Sequence, residues 1–287
     1  MRSVLIGVFD GVHLGHQQLI QRAADFGDPI AITFFPHPTS VFAPQTTPTQ
    51  LLSLEDRMHF LLQAGVKEVI IKDFTKEFAA LTPDQFIENI LKNEVKATHV
   101  TVGENFTFGV KASGNSQYLQ ANSGIPTTIV SLQENRGNTI SSTRIRGLII
   151  DGDVDRAKEL LSRPHRLRGT VVHGEKRGRT IGYPTANIAV ESWATIPADG
   201  VYAGWLEVDG VRWQSAISIG TNPTFPGVRG RQIEAYAINQ KDLELYDKTA
   251  IVEFGFRLRD TLKFNSLEEL LVQMKLDCEK AISLTSS

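Results

Sequence analysis

Gly7-Val8-Phe9-Asp10-Gly11-Val12-His13-Leu14-Gly15-His16 decides how the first half of this chain folds. The apolar residues 4–9 read as a buried strand. Residues 15–26 read as a helix with Leu19, Ile20, Ala23 and Phe26 on one face. A strand therefore ends, glycines open a loop, and two histidines stand at a helix start. Backbone N–H groups and the helix dipole favour an anion at such a place. His13 and His16 can donate hydrogen bonds to phosphate oxygens, and Gly15 lets a ligand approach the backbone. His-x-x-His is also half of a zinc set, but no nearby cysteine or second histidine pair completes a tetrahedron.

Working outward, apolar runs at 30–35, 68–72, 99–102 and 127–131 read as further strands. Ser53, with Asp56 three residues on, opens a helix. Thr82-Pro83-Asp84-Gln85 opens another, with proline in its first turn. The stretch 36–50 reads as a long loop, uncommon unless it is functional or mobile. Alternating strands and helices imply a doubly wound, mostly parallel sheet, which binds ligands at the carboxyl ends of its strands. The pattern changes near Pro164. Short runs at 170–173, 201–208, 213–219, 233–238 and 250–256 follow without helices between them, and Asp209-Gly210 makes a hairpin turn. They suggest an antiparallel barrel or sandwich. Residues 266–282 read as a closing helix with Ser266 and Glu269 as a capping box and Cys278 on its packed surface. The expected domains are 1–164 and 165–287.

Composition narrows the function. The 287 residues are 41% hydrophobic and 22% charged, which suits a two-domain globular enzyme and argues against disorder. No apolar run approaches the ~18 residues of a membrane span, and the start does not read as a signal peptide. A single cysteine cannot form an internal disulfide, so a cytosolic setting is expected. Net charge is −2, and neither half carries the basic excess of a general nucleic-acid binder.

Further motifs carry chemistry. In Ile140-Ser141-Ser142-Thr143-Arg144-Ile145-Arg146, hydroxyls and a bidentate guanidinium can hold phosphates, and the same serine and threonine can cap a helix. Phe35-Pro36-His37-Pro38 and Val102-Gly103-Glu104-Asn105-Phe106-Thr107-Phe108-Gly109 follow strand ends. Glycines 174, 178 and 182 in His173-Gly174-Glu175-Lys176-Arg177-Gly178-Arg179-Thr180-Ile181-Gly182-Tyr183-Pro184-Thr185-Ala186-Asn187 permit a loop that cradles phosphates among basic side chains. No Gly-Lys-Ser/Thr follows, so it is not a P-loop. Arg231-Gln232-Ile233-Glu234-Ala235-Tyr236 is strand-like, with a carboxylate that either faces solvent or takes a proton.

Together, in this order, these motifs resemble the bacterial bifunctional riboflavin kinase/FMN adenylyltransferases over essentially the whole chain. The resemblance implies a Rossmann-like α/β nucleotidylyltransferase domain followed by an antiparallel β-barrel riboflavin kinase domain with a C-terminal helix. It implies phosphorylation of riboflavin by ATP to FMN, then adenylylation of FMN by a second ATP to FAD with release of pyrophosphate, both with Mg²⁺. In the first domain it implies His13 and His16 in catalysis, with Gly7, Phe9, Asp10, Gly15, His37, Asn105, Ser142, Thr143 and Arg146 at the nucleotide. In the second it implies Gly174, Gly178 and Gly182 at the nucleotide, Thr185 and Asn187 at the metal, and Glu234 as the base. Ser218-Ile219-Gly220-Thr221-Asn222-Pro223-Thr224-Phe225 is also similar to the family. Two departures stand out: a short stretch before the first strand, and a changed turn composition in Asn239-Gln240-Lys241-Asp242-Leu243-Glu244-Leu245-Tyr246-Asp247. The expected partners are small molecules, with neither nucleic acid nor membrane; self-association is left open.

Overall fold

The computed structural model describes residues 1–174, 181–221 and 231–286. The chain forms two compact units, Met1–Pro48 with Leu52–Ser142, and Thr49–Leu51 with Thr143–Ser287.

In the first unit five strands, β1 (Arg2–Ile6), β2 (Asp28–Phe35), β3 (Glu68–Asp73), β4 (His99–Gly103) and β5 (Thr127–Val130), form a parallel sheet in the order β3-β2-β1-β4-β5. Period-2 alternation sends Val4 and Ile6 to one face and Leu5 to the other. Helices α1 (Leu14–Ala24) and α2 (Leu54–Gln63) cover the Leu5 face through Leu19, Ile20, Phe60 and Leu61. The caps expected from sequence form: Ser53 Oγ accepts from the Asp56 N–H, and Thr82 and Gln85 make a reciprocal capping box. The strand order reverses between β1 and β4, which places the loops after both strands at the crevice such sheets use for ligands.

Two expectations change here. β1 ends at Ile6, so Gly7, Val8 and Phe9 belong to the loop; the chain turns there through left-handed conformations at Phe9 (φ 53°) and Val12 (φ 41°). The stretch 36–50 is not structureless, since it holds a short helix, Pro38–Phe42, and a 3₁₀ turn, Pro44–Thr46.

In the second unit β6 (His165–Val172), β7 (Ala186–Val190), β8 (Gly200–Val208), β9 (Val211–Thr221), β10 (Arg231–Ala237) and β11 (Thr249–Arg259) close into an antiparallel barrel in the order β6-β7-β10-β9-β8-β11. Leu167, Ile188, Leu206, Ile217, Ile233 and Val252 fill its interior. β7 is not among the strands expected from the apolar runs. Helices α3 (Ser142–Ile150) and α4 (Val154–Leu161) precede the barrel, and Val154 joins its core. The Arg257 N–H donates to Asp155 Oδ2 at 3.2 Å. The compact unit therefore begins at Thr143, whereas the strand pattern placed the divide at 164. Thr49–Leu51 joins this unit because the Gln50 N–H donates to the Trp193 carbonyl and its own carbonyl accepts from the Thr195 N–H. Helix α5 (Leu267–Thr285) lies on the barrel's outer face, with Ala281 against Ala203 and Ile238. No described helix is long and apolar enough to cross a membrane.

Candidate functional site

The loop after β1 is fixed from below. Thr33 Oγ1 donates to the Val8 carbonyl at 3.0 Å, and the buried Arg57 donates from Nη1 to the Phe34 carbonyl at 3.2 Å. Asp10 is 3% exposed; the Leu52 N–H donates to its Oδ1 at 3.2 Å, and Ser142 Oγ donates to its carbonyl at 2.7 Å. Burial pulls the Arg57 guanidinium below its ordinary range, and the Asp10 carboxylate partly opposes this. Arg57 is not marked as a site residue by the sequence. Its only signal was an arginine one turn before Phe60 and Leu61 on an otherwise apolar face.

His13 takes the N-cap position of α1, and its ring stacks on that of His16 with centroids 3.7 Å apart. Phe9 meets His16 edge-on at 5.3 Å. Gly7 lies under the Phe9 ring and Gly15 beside the His13 ring, where a Cβ would sit 3.3 Å from either. Phe9, His16 and His13 thus form one ring cluster, and Ser142 is bonded to Asp10, the residue after Phe9. His37 caps the helix Pro38–Phe42, its Nδ1 accepting from the Thr39 N–H at 3.2 Å. Asn105 is exposed after β4 and lines a cavity of 610 Å³ with Gly7, Phe34, Phe42, Phe74 and Phe106. The phenylalanine lining was not legible as a group, because its members come from five separate segments. Thr143 and Arg146 lie on α3 in the second unit.

In the barrel, alternation puts Ala186 and Ile188 inside and leaves Thr185, Asn187, Glu234 and Ser218 on the outer face. Asn187 stands opposite Glu234 in the β7–β10 register, and Glu234 opposite Ser218 in β10–β9. Thr185 Oγ1 donates to Glu234 Oε2 at 3.1 Å. Gly174 packs directly on Asn187: a Cβ there would fall 2.2 Å from Nδ2. Gly182 borders a cavity of 810 Å³ at the barrel mouth, with Thr185, Lys241, Tyr246 and Lys248. A second cavity of 260 Å³ separates the barrel wall from α5 and is lined by Glu234, Tyr236, Arg259, Met274 and Cys278. Thr185 lines both. Burial raises the Tyr236 hydroxyl above its usual range and pushes the Cys278 thiol up to about 11, so Cys278 is a packing thiol rather than a nucleophile. Gly178, together with Glu175 through Thr180 and Asn222-Pro223-Thr224-Phe225, lies outside the described residues.

Comparison with known proteins decides the family. Residues 2–144 match the FAD synthetase family model, and residues 161–285 match the riboflavin kinase model. The bifunctional riboflavin kinase/FMN adenylyltransferase of Listeria monocytogenes is 37% identical over 284 residues, covering 96% of this chain and 90% of its own length. That of Bacillus subtilis is 36% identical over 301 residues, covering 100% and 93%. The chain belongs to this family. It is a riboflavin kinase and an FMN adenylyltransferase, making FMN from riboflavin and FAD from FMN. A crystal structure from Streptococcus pneumoniae, described as a macrolide-efflux protein, shares the fold with a TM-score of 0.88 at 35% identity, covering 98% of this chain and 93% of that one.

Proposed function

We propose that the two reactions use separate sets of residues, the kinase set on the barrel and the adenylyltransferase set around the start of α1. The hydrogen bond from Thr185 to Glu234, with Asn187 in register opposite, carries the kinase assignment. The riboflavin 5′-hydroxyl attacks the γ-phosphorus of ATP, its proton passes to Glu234, and ADP departs. A neutral alcohol needs such a base, and Glu234 lies in the wall of the 260 Å³ cavity, which we assign to riboflavin. The 810 Å³ cavity, with two lysines at its lining, takes ATP, and Thr185 stands where the two meet. The hydroxyl of Thr185 and the amide oxygen of Asn187 are hard donors that suit Mg²⁺. Among the described residues no three His, Cys, Asp or Glu gather as a metal cage, so phosphate oxygens and water would supply the rest of its shell. Bound there, Mg²⁺ neutralises phosphate charge.

In the first unit the FMN phosphate attacks the α-phosphorus of ATP and pyrophosphate leaves. The nucleophile is already an anion and needs no base. The work is positioning and charge stabilisation. We assign the triphosphate to His13, His16 and Gly15 at the start of α1, and the flavin ring of FMN to the phenylalanine-lined cavity beside Asn105. His37, Thr143 and Arg146 are assigned to the nucleotide through the family resemblance. The lone, half-buried cysteine suits a reducing cytosol, where we place both reactions.

Separate assays with riboflavin and with FMN test this division. His16→Ala is expected to cripple FAD formation and spare riboflavin phosphorylation, and Glu234→Gln to do the reverse. Equal loss of both activities in either variant refutes independent sites.

A further inference from the structure

We propose that the Arg259–Asp277 ion pair is a positioning element: it holds the first half of α5 as the wall of the cavity containing Glu234 and so sets the affinity for riboflavin. The proposal rests on the assignment of that cavity to riboflavin.

The buried residues of α5 are Asp277, Ala281 and Thr285, spaced one turn apart and all in its second half. Ala281 is wholly buried against Ala203 and Ile238, and Gln214 Nε2 donates to Thr285 Oγ1 at 2.9 Å. The C-terminal end is therefore fixed to the barrel by packing and hydrogen bonds. Asp277 is the last buried point toward the N-terminus. Arg259, at the end of β11, donates from Nε to both Asp277 oxygens at 3.0 Å and from Nη2 to Oδ2 at 2.7 Å. Gln273 Nε2 adds a bond to Oδ1 at 2.9 Å. Before Asp277 the helix offers only half-buried Leu270 and Met274 to the cavity, while Leu267, Val272 and Leu276 are exposed.

That first half has little apolar burial of its own to hold it down. The fork of Arg259 supplies a fixed distance and angle that a single ammonium would not. Loss of Arg259 leaves the buried Asp277 carboxylate without its cation, which is relieved when the helix lifts and lets water in. A lifted helix opens the cavity on the side away from Glu234. Riboflavin binding then weakens, while the ATP cavity on the other side of Thr185 is unchanged.

Cys278, the one cysteine of the chain, lines the same cavity and reports the helix position. The full-length protein, free of ligand, is treated with iodoacetamide as wild type, Arg259→Gln and Arg259→Lys. Arg259→Gln removes a positive charge and leaves Asp277, so electrostatics alone would slow thiol ionisation; faster alkylation reports exposure. We expect alkylation and riboflavin KM each to rise about tenfold or more in Arg259→Gln, a part of what a broken buried pair costs. Mg-ATP KM and FMN adenylylation stay as in wild type, and Arg259→Lys falls between. A raised KM with wild-type alkylation overturns the proposal, because Arg259 would then only touch substrate. Wild-type values for both overturn it too. If Arg259→Gln loses the barrel's thermal transition, Arg259→Lys decides by the same two measurements. Riboflavin should slow alkylation of the wild-type protein. Absence of protection refutes the cavity assignment, while the ligand-free comparison still judges the ion pair.

Discussion

Gly174→Ala tests whether Asn187 must stay where the barrel puts it. The new Cβ would lie 2.2, 2.5 and 2.7 Å from Nδ2, Cγ and Oδ1 of Asn187. Ordinary contacts of this kind are about 3.5–4.0 Å, so the carboxamide must move by about 1 Å or more. Its backbone cannot retreat, because Asn187 is paired with Val172 on one side and Glu234 on the other. The side chain must therefore leave its present position beside Glu234. A misplacement of about 1 Å at a positioning group costs about 10²-fold in rate, which is about 2.7 kcal/mol of barrier at 1.36 kcal/mol per tenfold. Initial rates of FMN formation with saturating Mg-ATP and riboflavin measure it, and FAD formation from supplied FMN serves as the internal control. Gly182→Ala is the comparison. Its φ of +87° makes any side chain strained, but among the described residues no atom lies within 4 Å of the new Cβ. Strain at Gly182 of roughly 1 kcal/mol does not push on Asn187 and should cost the kinase far less. A Gly174→Ala kinase rate within about threefold of wild type, well short of the misplacement range, would refute the close-packing argument.

Glu234→Gln keeps an acceptor for the Thr185 hydroxyl but removes the base; kinase kcat should fall by about 10²–10⁴-fold with Mg-ATP KM little changed, and a fall of under about threefold would remove Glu234 from that role. His165 is wholly buried and donates from Nε2 to the Thr195 carbonyl at 2.8 Å; burial pushes its pKa down to about 4 from 6.5. The unfolded chain alone binds this proton between those values, so barrel stability is full above pH 6.5 and falls by about 3 kcal/mol as pH drops toward 4. Denaturant titrations across that window should show the slope in wild type and its loss in His165→Gln. A fragment covering 143–287 should fold and phosphorylate riboflavin, whereas one covering 165–287 loses Val154 from the core and the Asp155 bond to the Arg257 N–H, and should melt at a distinctly lower temperature. Equal melting temperatures would return the boundary to 164.

The signals legible along the chain are local. The β1–loop–α1 junction, the caps at Ser53, Thr82 and Ser266, and the change of period near Pro164 all follow from residues within a few positions of one another. Ordered motifs also sufficed to name the family, because each is a short run whose spacing survives in one dimension. Local reading failed where several weak signals had to be summed over distance. Ala186–Val190 is too short and too alanine-rich to announce itself as a strand, and it becomes one because β6 and β10 present open ladders on either side. The barrel order β6-β7-β10-β9-β8-β11 emerges from long-range strand pairing, since nothing near Asn187 in the chain says that Glu234 and then Ser218 will stand beside it. The same holds for the phenylalanine-lined cavity, for Arg57 beneath Asp10, and for Asp277 in the fork of Arg259. Each depends on contacts between residues well separated in the chain. Chain closure fixes those contacts, and the register of paired strands and helices then decides which side chains meet.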